Sequence, residues 1–270
     1  MLRLVRLLVL FPFACVPVFA QQPGTPVDAK ALYEAGMNGI IGTGVSRNDV
    51  TAVQYFRESA TLGYAPAQDV MGYLSETGTV VPQDNHEALA WYSKAAKQGD
   101  SLAQWVLGRM YYTGTGEIRD LNEAASWLMK ASAQGDAFAQ LLLGSVLLER
   151  QAYAQAAENF RQAAEQGLPQ AQQQLGLLLK QGRGTVPEDK SDAYVWLLLS
   201  VDAGLQNVGE DIKQLEADLG STNVDRLKTE VRKREDITRR SLVAHGCTGW
   251  HGEFDLLPTT PPPEIQRFCR

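Results

Sequence analysis

Glycine returns along this chain at a fixed interval. Gly36, Gly72, Gly108 and Gly144 stand 36 residues apart, and Gly176 follows after a step of 32. A second series, Gly63, Gly99, Gly135, Gly167 and Gly204, runs in register with it at steps of 36, 36, 32 and 37. Large aromatic residues do so as well, with Trp91, Trp127 and Trp196 at one register and Phe56, Tyr92 and Phe160 at the next. A period of this length means that the polypeptide is built from copies of one unit, each of which can bury its apolar face only against its neighbours. The shorter step implies that one unit has lost four residues.

Each copy reads as two helices separated by turns. Ala103, Leu107 and Tyr111 share one face at helical spacing, which predicts a first helix. Gly114-Thr115-Gly116 interrupts it, Asp120 is placed to cap the next helix, and Ala124, Trp127, Leu128 and Ala131 predict the buried face of that second helix. Gly135 closes it at a position suited to a left-handed residue. The glycines inside the first helices cost about 1 kcal/mol each relative to alanine, so they imply close approach by a neighbouring helix.

The recurring pattern is Ala-Gln, Leu-Gly, a Gly-Thr turn, Asp, Ala, Trp-Tyr, Lys-Ala-Ala and Gly. Its fullest copy is Ala67 to Gly99, with Met71-Gly72, Gly78-Thr79-Val80, Asp84, Ala88, Trp91-Tyr92 and Lys94-Ala95-Ala96. This resembles the Sel-one-like repeat, a relative of the tetratricopeptide repeat. The resemblance implies an all-α, right-handed superhelical solenoid of about five helix-turn-helix units over 31–204, with approximate bounds 31–65, 66–101, 102–137, 138–169 and 170–204. Two units depart from the pattern. The first has Tyr55-Phe56 for Trp-Tyr, and the fourth replaces the glycine turn by Glu149-Arg150-Gln151 in a shorter connection.

Helical patterning continues beyond Gly204. Ile212, Leu215 and Leu219 share a face, Gly220 breaks it, and Ser221 or Thr222 can cap a further helix through Leu227 and Val231 towards Val243. We read 205–244 as a capping pair that covers the open end of the last unit. Its basic run of Arg232, Lys233, Arg234, Arg239 and Arg240 is interleaved with Glu230, Glu235 and Asp236, which reads as a solvated face. Pro258, Pro261, Pro262 and Pro263 exclude regular helix from the tail 245–270.

The first 20 residues read as a secretory leader. Arg3 and Arg6 precede the apolar stretch Leu7 to Ala14, and Val18-Phe19-Ala20 places small residues where a signal peptidase cuts, so cleavage is expected after Ala20 and 21–30 serve as a linker. Pro12 and Pro17 break the stretch as a membrane anchor, and Pro12-Phe13-Ala14 is a poor lead for lipidation of Cys15. Cleavage leaves Cys247 and Cys269 in an oxidising compartment, where a disulfide is expected. His245, Cys247, His251 and Cys269 are also zinc-ligand types, but their spacing fits no common zinc site and the bridge uses two of them. We therefore expect no metal.

No convincing catalytic set stands out in the sequence. No Ser-x-x-Lys occurs, His86-Glu87 lacks a second histidine at helical spacing, and none of the turns Gly42-Thr43-Gly44, Gly114-Thr115-Gly116 and Gly182-Arg183-Gly184 is followed by the Lys-Ser or Lys-Thr of a phosphate loop. No cofactor is expected. A net charge of -6 and an isoelectric point near 5.2 argue against nucleic acid and anionic membrane as partners.

In tetratricopeptide relatives the first helices line the concave side. Carried to this chain, that frame puts Asp69, Tyr73, Glu76, Trp105, Arg109 and Tyr112 in the groove of the second and third units, and Leu141, Ser145, Leu148, Gln173, Leu177 and Lys180 in that of the fourth and fifth. Aromatics and arginine are favoured at interface hot spots. The expectation is a monomeric, non-enzymatic scaffold or adaptor of the bacterial cell envelope, periplasmic or secreted, that binds a protein partner. The alternative is an envelope enzyme, or a binder of cell-wall fragments or β-lactams, with an unrecognised site.

Overall fold

The computed structural model describes residues 28–41 and 49–244. The leader, the Gly42-Thr43-Gly44 turn and the tail with Cys247 and Cys269 lie outside the described residues. Ten helices of equal length form five pairs: α1 (Ala29–Ile41) with α2 (Asp49–Thr61), α3 (Ala65–Thr77) with α4 (Asn85–Lys97), α5 (Ser101–Thr113) with α6 (Leu121–Ala133), α7 (Ala137–Glu149) with α8 (Tyr153–Glu165), and α9 (Pro169–Gln181) with α10 (Lys190–Asp202). Two more, α11 (Gly209–Leu219) and α12 (Ser221–Ala244), pack on α10. The described residues contain no strand. The result is an all-α superhelical repeat.

The boundaries follow from local chemistry repeated in register. The second helices α4, α6 and α10 start on aspartate: the Asp84 carboxylate accepts from the backbone N–H groups of His86 and Glu87 at 2.9 and 3.0 Å, Asp120 does the same for Asn122 and Glu123, and Asp189 caps Asp192. Each such cap contributes about 1 kcal/mol. Asp100 and Asp136 cap the first helices α5 and α7. Where Tyr64 and Leu168 replace them, no side chain caps the helix and a proline stands in its first turn, where the fixed φ suits a helix start. Helix α12 begins differently from the sequence expectation, because the Gly220 carbonyl, and neither Ser221 nor Thr222, stands at the capping position and accepts from Val224.

In the fourth unit the missing glycine has a visible consequence. Gln151 takes a φ of +60°, the left-handed conformation that Gly182 holds at +57° in the next unit, and the Ala152 N–H closes the turn on the Leu147 carbonyl at 2.8 Å. Val80 likewise sits at +68° where the third unit has Gly116 at +80°. A β-branched residue there is strained.

The core is divided into clusters along the chain, as a solenoid requires. One joins α2 to α3, a second α4 to α5, a third α6 to α7, and the last runs from α8 through α12. On α5 the buried apolar positions are Ala103, Val106, Leu107 and Met110. Tyr111, expected inside, is only partly buried because Met110 occupies the inward position one residue earlier. Trp127 is also half-buried: the core side of α6 is Ala124, Ala125, Leu128 and Ala131.

The mid-helix glycines do mark close approach. A Cβ on Gly72 would lie 2.8 Å from the Tyr92 ring, on Gly108 2.4 Å from Leu128, and on Gly144 2.6 Å from Phe160. In each unit the bulky residue on the second helix fills the space that glycine leaves on the first.

A row of glutamines ties the units together. Gln68, Gln104 and Gln172, all buried, donate to the carbonyls of Ala60, Ala96 and Ala164 on the preceding second helix. Gln98, Gln134 and Gln166 donate in turn to the side-chain oxygens of Gln68, Gln104 and Gln140. The row stops where Ala203 occupies the next such position, and the Gln172 Oε1 is left buried without a partner.

Candidate functional site

The first helices α5 and α7 touch each other directly. The residues at the expected groove registers divide into two kinds. Tyr73, Glu76, Trp105, Arg109 and Tyr112 are all half-buried. Asp69 is not part of this surface: it is 2% exposed. Its side chain turns between α3 and the start of α5, towards Asp100, and neither carboxylate oxygen has a hydrogen-bond donor.

The half-buried side chains also bridge neighbouring units. A guanidinium nitrogen of Arg109 bonds to Glu76 Oε1, so that unit three is linked to unit two, while the Tyr92 hydroxyl donates to the other oxygen of Glu76 at 3.2 Å. Burial and the Glu76 carboxylate hold the Tyr92 phenol well above its ordinary range. The Arg109 guanidinium lies 5.7 Å from the centre of the Trp105 ring, and that ring is 6.0 Å from Phe138 of unit four. Arg119 stacks on Tyr112 at 5.2 Å, donates to the Tyr112 carbonyl at 2.8 Å and pairs with Glu149 of the next unit. Two linked sets thus cross the unit boundaries, one of Tyr92, Glu76, Arg109, Trp105 and Phe138 and the other of Tyr112, Arg119 and Glu149, with the charges of Glu76 and Arg109 neutralising each other.

In units four and five the same registers carry Leu141, Ser145, Leu148, Leu177 and Lys180, all half-buried, and buried Gln173. The charge here is paired too, Lys180 with Asp211 of α11 at 2.8 Å. Among the described residues no three His, Cys, Asp or Glu side chains converge as metal ligands, and no helix is long and apolar enough to cross a membrane.

The second helices carry a different repeating device. Lys94 sits 3.8 Å over Trp91 and Lys130 3.7 Å over Trp127. In the fifth unit Leu199 replaces the lysine, and Arg234 of α12 supplies the cation 5.0 Å over Trp196 while pairing with Asp192 and Glu230. The cap thus restores a contact that the last unit lacks. Arg232 and Lys233 are exposed, as expected, but Arg234 is a structural tie rather than part of a solvated face. Nothing in the spacing of the basic run singles it out; its partners lie on another helix.

Comparison with known proteins fits these pairs one by one. A family model described as the Sel1 repeat matches residues 29–64, 65–100, 101–136, 137–168 and 169–205. The chain belongs to the Sel1 repeat family. Among solved structures, it is similar to c5321, described as a protective antigen present in uropathogenic Escherichia coli strains displaying an SLR fold. The two are 27% identical with a TM-score of 0.68, over 81% of this chain and 46% of that one. The chain thus spans less than half of that relative's length. A Sel1 repeat protein from Oxalobacter formigenes is 28% identical with a TM-score of 0.61, covering 67% of this chain and 76% of that chain. Comparison with curated protein sequences gives no significant match. Sel1 repeat proteins generally mediate protein–protein interaction, and their scaffolds are generally non-enzymatic.

Proposed function

We propose that this Sel1 repeat protein is an exported scaffold or adaptor of the bacterial cell envelope that holds a protein partner against the strip of Tyr73, Glu76, Trp105, Arg109 and Tyr112. The observation that carries the reading is the strip itself. In a solenoid these registers face no second layer of structure, yet two adjacent units fill them with aromatic rings and an internally neutralised ion pair. Such a surface offers large apolar area with few rotors to freeze and little charge to desolvate. Export rests on the leader-like first 20 residues, and the expected Cys247–Cys269 bridge fits an oxidising compartment. The partner is a protein, the scaffold a monomer, and no cofactor takes part.

Because Trp105 and Arg109 also hold units together, truncating them confounds binding with stability. Photo-crosslinking avoids this. A benzophenone amino acid in place of Tyr73 or Tyr112 keeps an aromatic ring at each site, and a third copy at Met129, which is 55% exposed on α6, serves as control. Illumination in intact cells is expected to give one discrete protein adduct from the two groove positions and none from Met129. Adducts of equal yield from all three positions, or from Met129 alone, contradict the assignment.

A further inference from the structure

Asp69 is the one carboxyl group at its register: the other units place Tyr33, Trp105, Leu141 and Gln173 there. It is 2% exposed, and both its oxygens lack a donor. Its polar neighbour is Asp100, which begins unit three and whose Oδ1 accepts from the Ala103 N–H at 2.9 Å to cap α5. The other ionisable groups about the joint include Tyr73 and Glu76 on α3 itself, Tyr92 on α4, and Arg109 on α5, with Glu76 bonded to both Tyr92 and Arg109. Arg109 is thus committed to Glu76, and no hydrogen bond reaches either oxygen of Asp69.

Asp69 is buried beside the half-buried Asp100, and a buried carboxylate with no donor and a like charge next to it is costly to ionise. A protonated Asp69 resolves the conflict, because its O–H donates to Asp100. The negative charge then stays on the residue that faces a helix N-terminus, where it is stabilised. We propose that Asp69 and Asp100 share one proton across the joint between units two and three, and that losing this proton at alkaline pH loosens this joint in particular. The joint also carries Tyr73, Glu76, Trp105 and Arg109, so on the groove reading above partner binding weakens with it; the test below does not depend on that reading.

Burial, then the charge of Asp100, raises Asp69 from 3.8 to about 9. A raised folded pKa means that the folded state holds the proton more tightly, so the contribution to stability is complete below the ordinary carboxylate range. It declines as pH rises from there and is gone above the folded value. Thermal and denaturant unfolding of the full chain between pH 5 and pH 10 should therefore show the wild type losing stability relative to Asp69→Asn, by up to about tenfold in the unfolding constant per pH unit within that window. Asparagine mimics the protonated acid by donating to Asp100. Asp100→Asn keeps a capping side chain and presents an N–H to Asp69, so it should flatten the slope as well. At neutral pH, the infrared difference between wild type and Asp69→Asn should contain the carbonyl stretch of a protonated acid, and Asp100→Asn should shift or weaken that band. Equal pH slopes in wild type and either variant, or a carboxylate band for Asp69 in the neutral wild type, overturn the proposal.

Discussion

Replacing Gly144 by valine is expected to destabilise the protein by about 3 kcal/mol, the upper range for forcing extra methyl groups into a packed contact. A Cβ at this position stands 2.6 Å from two atoms of the Phe160 ring, and Phe160 is fully buried between α7 and α9. The ring has nowhere to go, because Ala156, Ala163 and Leu175 surround it in the same cluster. Valine would therefore push α8 away from α7. Gly135→Ala is the informative contrast. Gly135 has a φ of +88°, and a Cβ added there would meet nothing within 4 Å, so only the left-handed backbone is penalised, by about 1 kcal/mol. Urea unfolding followed by circular dichroism should rank the two accordingly. Equal costs would mean that the mid-helix glycines serve backbone flexibility instead of helix contact.

The second large effect lies at the cap. Tyr194 on α10 is fully buried, and its hydroxyl donates to Glu216 of α11 at 2.9 Å. Burial and the Glu216 carboxylate together hold this phenol above its ordinary range, so it remains a donor at any physiological pH. Tyr194→Ala should cost about 4 kcal/mol, as for other large aromatic truncations, and Tyr194→Phe about 2 kcal/mol for the hydrogen bond to a charged acceptor alone. Hydrogen exchange is the measurement that localises the loss. Tyr194→Ala should speed exchange in α10, α11 and α12 before it affects α1 to α4, since contacts in a repeat array reach only to neighbours. Uniform acceleration along the chain would contradict the division of the core described above.

The parts of this architecture that the sequence makes legible are those set by a single residue within one unit. The caps at Asp84 and Asp120, the helix-ending Gly135 and the mid-helix glycines each need one residue type, and that residue recurs at the repeat period. Contacts between units are harder to see, because their two halves lie about one period apart. The glutamine row illustrates this: Gln68 and Gln104 recur visibly, but only the fold shows that Gln98 and Gln134 meet them. The first unit supports the same logic from the opposite side, with Leu32 and Leu62 at the two registers.

Of the registers expected to line a groove, two carry buried side chains, Asp69 and Gln173, and the rest are half-buried. Counting from Leu107-Gly108 puts Asp69 in line with Trp105, and a helical wheel assigns them the same face. In the fold the small side chain of Asp69 is covered by the start of α5, while the indole of Trp105 is long enough to emerge and rest on Phe138. Side-chain length, not register, decides which of them meets solvent. Arg109 and Glu76 carry the same lesson, since both lie on the expected face but spend their charge on each other.

A solenoid of this kind requires interchangeable units. Deleting Ser101–Asp136 and joining Asp100 to Ala137 removes one 36-residue copy in register and leaves Asp100 to cap the following helix as Asp136 did. We expect the shortened protein to keep the wild-type helical circular-dichroism signal per residue and to unfold cooperatively at lower denaturant. Loss of that signal would show that the chain folds around a single indivisible core, and the repeat account would be wrong.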